Sequence, residues 1–303
     1  MTHTLEADQE QPPLDAAGQP AAEEDGRRRG RWRHNLAGLI GAAILLLTVV
    51  VSVFARQIAP YGLNDQDLLN ILHAPSSAHL LGTDELGRDV LSRVIYGGRE
   101  ALLVTVLAVV LAVLAGFGLG VTAALARGWV DNLLGRLADI QLSIPAILLA
   151  LVVLALAGSS TPLLVVVLAL SSWVLVFRVA RAQARNIAAQ PYVEAARLAG
   201  AGTRAVIRRH VLPGTLPLAI VASALSFSSV LILEASLGFL GLGVQPPNAD
   251  WGEMIATGQS HLAIAWWASL SPGIALVLVL IGVQLCADWL AQRFSIKGLG
   301  DRR

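Results

Sequence analysis

Charge and thiols are scarce in this chain. Of its 303 residues only 14% are charged while 55% are hydrophobic, and there is one cysteine and one lysine. Soluble domains carry roughly 25% charged residues, so a surface made from this composition would not stay dissolved. Cys286 alone excludes a disulfide framework and a Cys-based metal site. The lone lysine, Lys297, is followed by Gly298 and lacks the Gly-x-x-x-x-Gly-Lys-Ser/Thr setting that brings a lysine to nucleotide phosphates. That excludes ATP hydrolysis by this route. The six histidines are scattered without a ligand-spaced pair, and Ser171 and Ser172 share their apolar run with no histidine or acid. Catalysis has no support, and no catalytic, cofactor-binding or metal-ligating residues are expected.

What the chain does have is long apolar runs. Leu36–Phe54, Ala101–Ala126, Ile140–Phe177, Val211–Leu233 and Met254–Ala287 contain no Asp, Glu, Lys or Arg. About 20 apolar residues cross a hydrocarbon core roughly 30 Å thick, so the first two runs cross once each. As one helix, Ile140–Phe177 would be about 57 Å long. Its middle, "AGSSTP" at Ala157–Pro162, is turn chemistry with a proline suited to opening a new helix, so this run divides into two crossings. In the last run, polar Thr257–His261 and the "SPG" of Ser271–Gly273 leave about Leu270–Leu290 to span. The fold class is an all-α multi-pass membrane protein with six transmembrane helices.

A cytoplasmic N-terminus puts every lysine and arginine inside except Arg56, Arg88, Arg93 and Arg99, the asymmetry that the positive-inside rule favours. Residues 1–34 read as a cytoplasmic tail, first acidic and disordered, then basic through "RRRGRWRH". An uncleaved first crossing follows at 35–56. Residues 57–98 form an extracytoplasmic segment, with an amphipathic surface helix from about Arg88 that carries Val90, Leu91, Val94 and Ile95 on one side. Asp84, Glu85, Arg88 and Asp89 read there as charges on a solvated face rather than an acid/base cluster. Residues 99–290 form the transmembrane core, in which Gly116 and Gly120 make a small-xxx-small pair for close helix packing. Residues 291–303 form a cytoplasmic tail. Between the last two crossings, Val244–Trp267 is too polar to span, and its Trp251, Trp266 and Trp267 suit the membrane interface.

The most charged helical stretch, "VEAARLAGAGTRAVIRRHVLP" from Val193 to Pro213, falls in the cytoplasmic loop at 186–213. Pro191 suits a first helical turn, and Glu194 sits where the helix dipole favours a negative charge. Gly200 and Gly202 end that helix; Thr203 caps a second, which runs through Arg209 until Leu212 and Pro213 break it. Two short helices with a glycine elbow are too charged for lipid and too rich in alanine for an ordinary solvated face. Small side chains let a helix backbone settle into a groove on another protein.

This stretch resembles the EAA motif of the permease subunits of binding-protein-dependent ABC importers, with Glu194, Ala195, Ala196, Gly200, Leu212 and Pro213 at the motif positions. His210, two before Leu212, is similar to the peptide-importer branch, whereas Gly214 stands where that branch often has Asn. "HLLGTDELGRDVLSRVIYGGR" (His79–Arg99) and "EASLGFLGLGVQPPNADWGEMI" (Glu234–Ile255) look like one of the two permease subunits of the dipeptide, oligopeptide and nickel importers. The resemblance covers about Ala37 to Leu290. It implies the transmembrane-domain fold of type I ABC importers and a place in the bacterial cytoplasmic membrane with both termini cytoplasmic. The implied partners are a second, similar permease, two cytoplasmic ATPase subunits that bind ATP and magnesium, and an extracytoplasmic substrate-binding protein. It also assigns ATPase coupling to Glu194, Ala195, Ala196, Arg197, Ala199, Gly200, Leu212 and Pro213. The implied cargo is a di- or oligopeptide, with nickel or a metal chelate as the alternative.

A secondary transporter or channel is the competing class, and it normally needs ionisable residues deep in the membrane. Asp139 suits an ion pair near the inner end of the third crossing, and Asp288 lies at the cytoplasmic end of the sixth. Glu234, about 18 residues beyond Leu216, falls near the outer interface, roughly 27 Å along the helix. Two roles stay open for it: packing, or lining a pathway beside Ser236 and Gly238.

Overall fold

The apolar runs become helices laid along one another. In the computed structural model, the backbone is described for residues 21–126 and 128–300, and the side chains for 35–126 and 128–294. The helices are α1 (Ala21–Val53), α2 (Ala55–Ile58), α3 (Val90–Ala126), α4 (Gly128–Ser143), α5 (Ala146–Ala157) and α6 (Thr161–Ala188), followed by α7 (Pro191–Leu198), α8 (Thr203–Val206), α9 (Leu212–Phe239), α10 (Trp251–Gln259) and α11 (Trp266–Gly300). Residues 1–20 and 301–303, which hold most of the expected acidic tail and the end of the C-terminal one, lie outside the described residues. The described backbone is already helical at Ala21, ahead of the crossing expected at 35, and stays helical through Gly300, where a tail was expected from 291.

α3 packs along α6, which packs along α9, and α1 lies against α11. Small residues set the closest approach. A Cβ at Gly116 would lie 2.5 Å from the Trp173 carbonyl oxygen, and one at Gly120 2.6 Å from that of Phe177. In lipid, where apolar burial between helices gives little drive, such backbone proximity supplies the dispersion contact. The central layer joins Val104, Ala108 and Ala112 of α3, Ala150 and Leu154 of α5, Leu164 and Leu168 of α6, and Val230 and Leu237 of α9.

Five helical stretches are long and apolar enough to cross a membrane, and the count reaches six if the bent pair α4–α5 is taken as one span. These two meet at 84° around Pro145, whose missing N–H cannot continue the ladder. α5, at 12 residues or about 18 Å, is too short to span alone. Gln141 ties the bend to α6: its side-chain oxygen accepts from Trp173 Nε1 at 2.7 Å, and its amide donates to the Leu170 carbonyl.

Several expectations need correction. Gly202 and not Thr203 is the N-cap of α8, and Trp251 and Trp267, expected at the membrane interface, are buried with their indole N–H groups donating to the Val94 and Thr83 carbonyls. The amphipathic helix expected to lie on the membrane is the first turns of α3, which runs unbroken for 37 residues. Asp84 and Asp89 do not sit on a solvated face. Asp89, 3% exposed, accepts from the His79 ring at 2.9 Å and from the Ser92 backbone and hydroxyl, while Asp84 holds Arg88 at 2.7 Å and Arg93 at 3.6 Å. Finally, Leu212 and Pro213 do not break a helix. A π turn at Ile207–Val211 carries α8 directly into α9, the Leu212 N–H bonding to the Ile207 carbonyl. The wider turn displaces the carbonyl that Pro213 would otherwise strike, so the proline opens α9 in its first turn.

Candidate functional site

α7 is built to be held from one side and presented on the other. Gln190 is extended, Pro191 fixes the first turn, and Glu194 lies in that turn, where it complements the helix dipole. Val193 alone points fully inward, into an apolar cluster with Val121 and Ala124 of α3, Ala184 and Ile187 of α6, and Val206 and Val211 beyond the elbow. Ala196 is half-buried, whereas Tyr192, Glu194, Ala195, Arg197, Leu198 and Ala199 are exposed.

The elbow is a Schellman ending. The Ala201 N–H bonds to the Ala196 carbonyl and the Gly200 N–H to that of Arg197, with Gly200 at φ +88°. A left-handed residue at this place favours glycine. Leu212 is half-buried against the same apolar cluster, and Pro213 is exposed. Six of the coupling residues named from the motif, Glu194, Ala195, Arg197, Ala199, Gly200 and Pro213, are exposed, and the cluster of Val193 and Leu212 holds them at one end of the bundle. Two further side chains of α7 are exposed: Leu198 at 84% and Tyr192 at 52%, whose ring meets His210 edge-on. The signal was in the sequence, since an eight-residue helix that turns only Val193 fully inward must present its other apolar residues outward.

At the opposite end, the three residues named as possible pathway do not share a face. Glu234 is fully buried, with both oxygens lacking a hydrogen-bond partner. Gly238, one turn on, lies so close to Asp250 that a Cβ would strike its carboxylate. Ser236 is half-buried on another side and donates to the Ile232 carbonyl at 2.7 Å. Their separation follows from helix geometry: positions 234 and 238 stack, while 236 turns about 200° away.

Asp250, missed in the sequence, organises this end. Its carboxylate accepts from the backbone N–H of Val244 (2.9 Å), Gly252 (2.6 Å) and Glu253 (3.1 Å), which closes the loop after α9 and caps α10. Burial pushes its carboxyl above the ordinary value, against these three amides. α10 is fixed further by Trp251 Nε1, which donates to the Val94 carbonyl at 2.9 Å, and by Glu253, paired with Arg93 at 3.1 Å. A cap signature was present in "ADWGE", Asp before a helix with Glu three residues later, but the loop's polarity hid it.

Residues 116–296 match the family described as binding-protein-dependent transport system inner membrane component, and residues 27–75 match the N-terminal transmembrane domain of oligopeptide transport permease C. The chain is 39% identical over 272 residues to a di/tripeptide transport system permease protein of Pseudomonas aeruginosa, covering 88% of this chain and 90% of that one. It is 35% identical over 259 residues to a probable D,D-dipeptide transport system permease protein of Escherichia coli, covering 86% and 87%. It is also 35% identical to a glutathione transport system permease protein of Pectobacterium atrosepticum, covering 88% and 90%. Among solved structures, a chain of the inward-facing MetNI methionine ABC transporter superposes with a TM-score of 0.56 at 19% identity, over 67% of this chain and 97% of that one.

Proposed function

Because the chain belongs to the family of binding-protein-dependent transport system inner-membrane components, we propose that it carries di- or oligopeptides across the membrane, driven through α7 by ATPase subunits that the chain itself does not contain. It is a multi-pass permease subunit of a peptide ABC importer, with the transmembrane-domain fold of type I importers. The relatives named above handle di- and tripeptides, D,D-dipeptides and glutathione. Nickel is not favoured, and neither is a secondary transporter or channel.

The observation that carries the coupling assignment is the outward surface of α7. Glu194, Ala195, Arg197, Leu198, Ala199 and Gly200 are exposed there, while Val193 roots the helix between α3, α6 and α9. Exposed Leu198 and Tyr192 are the apolar anchors that a groove on a partner would bury, and the charges of Glu194 and Arg197 fix the orientation at its rim. When the ATPases close on ATP, they displace α7. Val193 passes the movement to the ends of α3 and α6, and the continuous π turn passes it into α9 behind Leu212 and Pro213. Alternating access then rests on the two permeases rocking against one another, with a binding protein delivering peptide at the α10 end. Basic residues near α7 favour the cytoplasm for this end and for both termini.

Uptake of labelled dipeptide in a strain deleted for this chain tests the reading. Glu194→Lys and Gly200→Trp are expected to abolish uptake while the protein still inserts and accumulates. Normal transport by either variant with its ATPases bound overturns the assignment of α7.

A further inference from the structure

A charged cavity of about 520 Å³ opens between α4 and α6, near the end of the bundle that carries α7. Four arginines line it, Arg136, Arg178, Arg181 and Arg185, against two acids, Asp131 and Asp139. Asp131, 6% exposed, holds both Arg181 (2.5 Å) and Arg185, and Asp139 holds Arg178 at 2.5 Å. Arg136 is exposed and pairs with neither acid. Four cations against two anions leave the cavity with an excess of two positive charges.

Beside it runs an apolar stripe that no described residue covers. Trp129, Leu133, Leu137, Ile140 and Ile144 are 75%, 48%, 48%, 60% and 42% exposed and recur at steps of four, four, three and four along α4 and just beyond its end. That spacing gathers them on one side of the helix. Asp131, Asn132, Gly135 and Asp139 project from the adjoining side into the cavity, and Arg136 falls between the two. Trp129 lies at the head of the stripe, the place an indole takes at a membrane interface.

We propose that this cavity binds the phosphate headgroup of an anionic phospholipid, with Arg136 and Arg178 contacting the phosphate and an acyl chain lying along the Trp129–Ile144 stripe. A phospholipid has the two parts that this surface would receive, an anion at the interface and hydrocarbon next to it. Basic pockets between membrane helices suit such headgroups. A free phosphate would use the arginines and leave the stripe bare. The inference rests only on the chain lying in a bilayer and not on what it transports.

The test is lipid retention. The full chain is purified with the subunits that accompany it, equilibrated in mixed micelles of phosphatidylglycerol and phosphatidylcholine, and its bound lipid is counted by native mass spectrometry. The wild type is expected to keep about one more phosphatidylglycerol per chain than the Arg136→Gln/Arg178→Gln variant, with a preference over phosphatidylcholine of roughly 30-fold for two excess charges. Asp139→Asn removes a competing carboxylate and is expected to strengthen retention, which decides the matter if the double variant folds poorly. Equal retention of the two lipids overturns the proposal. So does displacement by millimolar inorganic phosphate, which marks a free-anion site. Loss of a companion subunit from the double variant with lipid counts unchanged also overturns it, by assigning this face to a protein.

Discussion

Glu234 has no hydrogen-bond partner among the described residues and no exposed surface, so what it tolerates depends on charge more than on shape. Burying an unpaired charge costs several kcal/mol, whereas a neutral polar group of the same volume costs much less. Glu234→Gln is therefore expected to insert and melt within a few degrees of the wild type, and Glu234→Lys to fail to accumulate. Thermal unfolding of detergent-purified protein checks both, and a Gln variant as damaged as the Lys variant would mean that the carboxylate has a specific partner in the assembled transporter. Gly200 is sensitive for a different reason. Its φ of +88° lies where a side chain costs roughly 1–2 kcal/mol, with Asn the least penalised. Because nothing lies within 4 Å of a Cβ there, strain and not collision sets the order. Gly200→Asn is expected to retain most peptide uptake and Gly200→Val to lose it; equal activity of the two would show that the elbow does not need the left-handed conformation.

α7 illustrates which elements can be read without coordinates. Its start at Pro191 and its stop at Gly200 are written in adjacent residues, and the helix spans Pro191–Leu198 as those residues dictate. The same local reading failed thirteen residues later, because whether Pro213 breaks a helix or opens one depends on the turn before it, and a π turn leaves no composition signal. The start of α3 was legible as amphipathic but not as continuous with the crossing, since what decides its direction is burial of Arg93 and Val90 against distant segments. Asp250 was legible as a local cap in "ADWGE", but not as the residue that closes the loop, because Val244 and Gly238 meet it only after the chain folds back. At this scale the prediction concerns the root of α7. Val193→Asp places a carboxylate in a fully buried apolar cluster and should detach α7 while the crossings still insert. The expected outcome is normal membrane abundance, loss of ATPase subunits on copurification and loss of uptake; retention of the ATPases would separate docking from the packing of Val193.

Across the whole molecule, α3, like α9, reaches both ends. Its 37 residues, about 55 Å of helix, begin beside α10 at Arg93 and end in the cluster that holds α7 at Val121 and Ala124. Arg93, 3% exposed, bridges Glu253 of α10 and Asp84 of the preceding segment, so it ties together the parts that would meet an external binding protein. Removing one partner of a buried pair costs about 3–5 kcal/mol where the remaining charges stay buried. Here the cost is smaller, because Asp84 keeps Arg88 and Glu253 is partly exposed. Arg93→Met should therefore leave a folded protein with a loosened α10. Since the change lies at the far end from α7, the ATPases should still copurify, and basal ATP hydrolysis should persist while peptide uptake falls at least tenfold. Val193→Asp gives the opposite pattern, losing the ATPases first. If Arg93→Met instead released the ATPases, the two ends would not be separable, and a rigid α3 linking two distinct contact surfaces would be the wrong description of how this permease is driven.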